Sequence, residues 1–282
     1  MKQLKLYVAE TYHENKNDSS IIIKDEITQE ELSALNSAFT VCSLYHSITQ
    51  IKDIVVENGE TFKRYMSSAN LKELPKHNIK PERAIMLANK AVLNYASSIK
   101  TYLDMETRLL KKRASEEVFN MFDSMCHKFY DEHMEYRFWA NFRNYIVHCE
   151  FPYSIYQEHA DEGCRIICTK EHLLQFAIWK HSIADIEKMN NQIDLPSLVD
   201  NMSSLICAFY IDFFSHFAKT IVDGIAIYGD FCRKYDVKVP VIFKIKDREQ
   251  VEGSHFQPLP IKELRASFEI LKSNPRIQID IK

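Results

Sequence analysis

From Pro81 onward, apolar residues return at steps of three and four: Ile85, Ala88, Val92, Tyr95, Ile99 and Tyr102. Lys90, Asn94, Ser97, Lys100 and Thr101 run along the opposite face. This is the period an α-helix imposes, because residues three and four apart share one side of a 3.6-residue turn. Proline is favoured in the first helical turn, where its missing N–H leaves nothing unsatisfied. The pattern predicts a helix from Pro81 to about Lys112. Glycine is scarce, 5 in 282 residues, which argues against a loop-rich all-β fold and against a glycine-rich nucleotide-binding α/β fold.

The remaining elements follow from the same signals. LKLYVAE and SIIIKDE, separated by a polar stretch, predict two short strands that pair as a hairpin. TQEE at Thr28 resembles a capping box, and Leu32, Leu35, Phe39, Leu44 and Ile48 follow at helical spacing. NGETFKRYMSSANLKELPKHNIKP predicts a connection with a short irregular helix. Ser115 and two glutamates open another helix with the stripe Val118, Phe122, Met125 and Phe129. After a break near Asp131, Met134, Phe138, Phe142 and Tyr145 continue the stripe until Pro152 stops it. GCRIICTK reads as β, residues 170–190 as helix, and 197–234 as one long amphipathic helix. VKVPVIFKI predicts an edge strand because it contains Pro240, PIKELRASFEILKSN a helix, and RIQIDIK a strand. The expected architecture is mainly α, an antiparallel helical bundle with a few short peripheral β-strands. Its expected division is N-terminal strands over 1–27, a helical bundle over 28–235, and a C-terminal extension over 236–282 packed on the same domain.

The formal net charge of −3 provides no overall basic field, so any contact with RNA has to be local. Asp212, His216, Lys219 and Asp223 cut the greasiest segment with a polar stripe, which argues for a buried helix and against a membrane span. No run of signal-peptide length follows Met1, and the seven cysteines show no paired framework. Both features lead us to expect a cytoplasmic protein.

NFRNYIVHCEFP, residues 141–152, is the segment with most chemical content. On a helical wheel Phe138, Phe142, Tyr145 and Cys149 cluster on the core side, while Arg143, Asn144 and His148 fall away from it. Asn144 and His148 are four apart and therefore neighbours. Ala140 and Val147 lie within the outer polar arc, as suits a surface covered by another helix. If that helix belongs to a second copy, the patch meets itself across a two-fold axis and two Arg, two Asn and two His converge. RNA cleavage by internal transfer needs a base, an acid and positive charge at the phosphorane. Imidazole serves the first two and guanidinium the third, without metal. The ordinary alternative is that His148 favours the negative end of its helix while Arg143 makes a surface ion pair.

R-N-Y-I-V-H at the end of a long helix, followed by F-P-Y, resembles the signature of the HEPN superfamily. NKAVLNYASSIKTYLDMETRLL resembles the helix that precedes the motif in bacterial members. The resemblance spans about residues 28–235, and only the motif is specific. It implies a helical bundle that dimerises through the motif helices, and a metal-independent endoribonuclease of toxin–antitoxin, abortive-infection or other defence or stress systems. It implies that Arg143 and His148 are catalytic and that Asn144 supports them, with no cofactor and no metal. It also implies RNA as substrate, a homodimer, and a protein antitoxin or regulator as a further partner. Some members lack catalysis, so a dimeric scaffold that binds RNA, a nucleotide or a protein through the same cleft is the alternative. A tyrosine two residues after the His marks one modified subfamily, and Glu150 stands there in this chain.

Weaker signals are Cys164, Cys168 and His172, spaced by four and better explained by packing than by zinc. Cys149 follows His148 but points about 100° away on a helix, a poor dyad. Trp139 is expected near the outer face, at an interface or stacked on a base.

Overall fold

The structure, a computed structural model, describes residues 5–15, 18–159, 163–245 and 255–278. It is mainly α with a few short antiparallel strands, as the periodicity predicts. The chain divides into two compact units, Met1–Ser47 with Phe213–Lys282, and Ile48–Asp212.

The first unit carries a four-stranded sheet in the order β2-β1-β5-β6. Here β1 is Lys5–Asn15, β2 Asp18–Ile27, β5 Pro240–Ile245 and β6 His255–Pro258. All neighbours are antiparallel. The expected hairpin is present, with strands longer than the apolar runs suggested. Strand β5 is interior and not an edge, because Pro240 occupies its first position, where a missing N–H costs the ladder least. Tyr7, Ala9, Val241, Phe243 and Ile245 form one apolar cluster on this sheet.

Helix α1, Gln29–Met66, starts with the predicted capping box: Glu31 N–H donates to the Thr28 hydroxyl and Thr28 N–H to the Glu31 carboxylate. In the first unit α1 packs with α9, Ala218–Tyr235, and α10, Ile261–Ser273. The Ser267 hydroxyl donates to Cys42 O, and Gly224 lets α9 approach Ala38. The expected final strand RIQIDIK is irregular over 276–278, and the rest of it lies outside the described residues.

The second unit holds the helical signal read from the sequence. It contains α2 (Ser68–Lys76), α3 (Pro81–Arg113), α4 (Glu116–Glu132) and α5 (Met134–His148). A hairpin follows, β3 (Ile155–His159) with β4 (Gly163–Ile167). Ser115 caps α4 by accepting from Val118 N–H, and Pro81 opens α3, as expected.

Three further expectations need correction. The segment around Gly59 is not a connection, since α1 continues through it to Met66. A β-carbon there would meet Tyr95 at 3.0 Å and Val199 and Ser203 at 3.1 Å, so the glycine permits close packing and does not interrupt the helix. Residues 170–190 are not one helix but α6 (Lys170–Leu174), a 3-10 segment (Ala177–Ser182) and α7 (Ile183–Glu187). The long helix over 197–234 is α8 (Leu195–Ser215) and then α9, broken at His216 and Phe217. No single helix among the described residues is long and apolar enough to cross a membrane.

Glu106 on α3 is wholly buried, and neither of its oxygens has a hydrogen-bond partner among the described residues. Burial pushes its carboxyl up to about 8. Below the ordinary carboxyl range both folded and unfolded chains carry the proton, and the native state is fully favoured. As pH rises towards 8, the unfolded carboxyl ionises while the folded one stays neutral, so stability falls by at most about 1.4 kcal/mol per pH unit. Urea unfolding at pH 5, 6, 7 and 8 should show this decline, and Glu106→Gln should flatten it.

Candidate functional site

Helix α5 is anchored by a buried side that is almost entirely aromatic. Phe138, Trp139, Phe142 and Tyr145 are fully buried. Trp179, from the 3-10 segment, stacks on Phe138 at 5.4 Å and on Tyr145 at 5.1 Å. Its indole N–H donates to Leu173 O. Trp139 meets Tyr95 of α3 edge to face at 4.8 Å and donates to Leu198 O at 3.0 Å. Trp139 is therefore core, contrary to the outer-face expectation. Aromatic pairs of this kind add about 0.5–1.5 kcal/mol each beyond their buried area.

Polar groups complete the anchoring. The Arg137 guanidinium makes a two-pronged ion pair with Asp185 at 2.8 and 3.0 Å. It also donates to Tyr130 O and Asp131 O at the end of α4. The Asn141 amide donates to Arg137 O and to the Ser182 hydroxyl. After the helix, Asn89 of α3 takes the place of a backbone partner for Tyr153. Its amide donates to Tyr153 O at 2.8 Å and its carbonyl accepts from Tyr153 N–H at 3.0 Å. His172 holds the same loop, its Nε2 lying 3.0 Å from Phe151 O.

On this frame Arg143 and Asn144 are half-buried, and His148 is exposed in the last turn of α5. None of the three side chains forms a hydrogen bond or ion pair among the described residues. The ion pair that the ordinary reading of Arg143 requires is therefore not made by the described residues. Val147 and Phe151, each 49% exposed, place apolar surface next to His148. A guanidinium, a carboxamide and an imidazole within two turns, none of them committed, can receive a phosphodiester and move a proton.

The Cys164, Cys168 and His172 series is not gathered into one cluster. The Cys164 thiol donates to Leu71 O, His172 turns to Phe151 O, and burial pushes the Cys168 thiol up to about 12. Cys149 is half-buried and caps the helix through its backbone N–H to Tyr145 O. Sequence reasoning missed the anchors Arg137, Asn141 and Asn89, whose partners lie 41 to 64 positions away.

No family model, curated protein or solved structure matches this chain. The functional reading therefore rests on the residues themselves.

Two arginines on one helix provide a direct test. Arg137→Ala should cost about 3 kcal/mol, because it strands Asp185 and two carbonyls in a largely buried place. Arg143→Ala should change stability by no more than about 0.5 kcal/mol, as for an uncommitted surface group. Urea unfolding of the two variants measures both.

Proposed function

We propose that the protein is a HEPN-type, metal-independent endoribonuclease that acts as a homodimer with a composite Arg/His site. One observation carries the reading. Arg143, Asn144 and His148 have no partners among the described residues and stand at the end of a helix that is otherwise held by aromatic packing and by Arg137. Preorganised but unengaged polar groups are what transition-state stabilisation requires, since no reorganisation is then needed during the reaction. The R-N-Y-I-V-H resemblance supplies the reaction class.

In this reading Val147 and Phe151 seat a second copy, so that two sets of the three residues line one cleft. The Arg143 guanidinium binds the scissile phosphate through its fixed fork of donors. His148 accepts the proton of the 2′-hydroxyl as the 2′-oxygen bonds to phosphorus. A protonated His148 of the other copy gives a proton to the departing 5′-oxygen as the P–O5′ bond breaks. The Asn144 amide orients the phosphate. The products are a 2′,3′-cyclic phosphate and a free 5′-hydroxyl. A role in defence, stress or a toxin–antitoxin pair, with a protein antitoxin as regulator, belongs to the same proposal.

Purified protein incubated with total RNA should cleave it equally with and without EDTA. His148→Ala and Arg143→Ala should each lower the rate by about 10²-fold or more. Loss of cleavage on adding EDTA, or full activity in His148→Ala, overturns the assignment.

A further inference from the structure

One edge of β4 pairs with β3. The other is covered only at its two ends. At the end that follows Ile167, Ile193 N–H donates to Cys168 O at 2.9 Å and Lys170 N–H to Asn191 O at 2.9 Å, so residues 191–193 run antiparallel to 168–170. At the start of the strand α2 closes in. Gly163 has φ +84, and a β-carbon there would lie 2.5 Å from Lys72 Cα. The Cys164 thiol donates to Leu71 O across the same junction. Between these covers lies a cavity of about 310 Å³, lined along β4 by Arg165, Ile166 and Ile167.

The backbone at the middle of this edge is unpaired. Along a strand, successive residues turn their N–H and C=O to opposite sides. The Cys168 carbonyl points outward, to Ile193, so the N–H and C=O of Ile166, two residues earlier, point outward as well. Among the described residues no backbone hydrogen bond outside the β3–β4 ladder engages Ile166. An open strand edge is a template for another extended chain: main-chain bonds give affinity, and pockets for alternate side chains give specificity. This edge already accepts one antiparallel segment of its own chain. That segment leaves it after Ile193, where Leu195 N–H donates to Ile193 O.

Direction and charge narrow the guest. A chain that continues the course of 191–193 runs from the Cys168 end towards Gly163, and there it meets α2. It has to end at that point, and the end it presents is its C-terminus. The exposed Arg165 lines this closed end, and the exposed Lys72 stands on the α2 side of it. The Asp194 carboxylate belongs to the opposite end, beside Ile193. A terminal carboxylate is therefore matched where the chain must stop and repelled where it must enter. The remaining walls, Met66, Leu71, Ile193 and Pro196, are apolar and suit an aliphatic side chain. The volume is at the small end of the range for ligand pockets, about 300–1,000 Å³, which fits a short segment and not a long strand.

We propose that the outer edge of β4 is a docking site for the free C-terminus of a partner polypeptide. One guest residue pairs antiparallel with Ile166, the terminal carboxylate lies at Arg165, and an aliphatic side chain fills the space between Met66, Leu71, Ile193 and Pro196. The site does not depend on the cleavage reading, because none of Arg143, Asn144 and His148 lines it.

Calorimetric titration of the full chain with acetylated tetrapeptides ending in valine, leucine, isoleucine or phenylalanine, each as free acid and as amide, tests this. At least one free acid should bind saturably, and its amide should bind about tenfold or more weakly. Arg165→Ala should bring the free acid down to the level of the amide and leave the amide unchanged. N-methylation of the peptide bonds one at a time should abolish binding at the position that donates to the Ile166 carbonyl, a result that needs no change in the protein. Met66→Trp, at a half-buried wall position, should abolish binding by filling the cavity, and His148→Ala should leave it unchanged. Failure of every free acid to bind, or equal binding of acid and amide, overturns the proposal. Self-association that Met66→Trp removes, with no peptide bound, assigns the edge to a second copy of this chain and overturns it as well.

Discussion

The packing of Trp179 against Phe138, Phe142 and Tyr145 is the interaction on which the rest of the second unit depends. A short, broken stretch of chain between β4 and α8 would not normally fix a helix. Here it carries an indole that stacks on rings one and two turns apart, and its own N–H is satisfied by Leu173 O. On the adjoining side, Trp139 fills the space against Tyr95 and Leu198. The helix is therefore covered over a wide arc by rings, which have few rotamers to lose on burial. What stays open is the other side, bearing Arg143, Asn144, Val147 and His148.

That wide arc explains where the sequence misled. A wheel drawn through Phe138, Phe142, Tyr145 and Cys149 makes a stripe of about 60°. It leaves Trp139 outside because it assumes one covering surface. With two surfaces the buried side extends to Trp139 and Ile146. The same limit accounts for Gly59, whose value lies in how closely Tyr95, Val199 and Ser203 come, a distance no local pattern encodes. Pro81, Ser115 and the Thr28–Glu31 box were legible because capping is local chemistry, settled by residues within one turn. The strand role of Pro240 was half legible: its position at a strand start was open to the sequence, its neighbours β1 and β6 were not.

The site shows the same division. Residue types and spacing singled out Arg143, Asn144 and His148, but could not tell an uncommitted arginine from one in an ion pair. The contrast with Arg137, six positions earlier on the same helix, appears only in three dimensions. Arg137 uses all three of its guanidinium nitrogens on Asp185 and the end of α4, and so holds the helix. Arg143 has no such occupation among the described residues. Charge conservation alone would treat them as equivalent, whereas one is structural and the other is available.

Asn89 has a last consequence for how this molecule can vary. By bonding both the N–H and the carbonyl of Tyr153, it reads one peptide position and no other. The link from His148 to Tyr153 thus works as a measured tether, anchored at its far end to α3. Lengthening or shortening it by a single residue would leave Asn89 facing the wrong peptide. The fold should therefore tolerate changes of side chain along 149–152 far more readily than any change in their number.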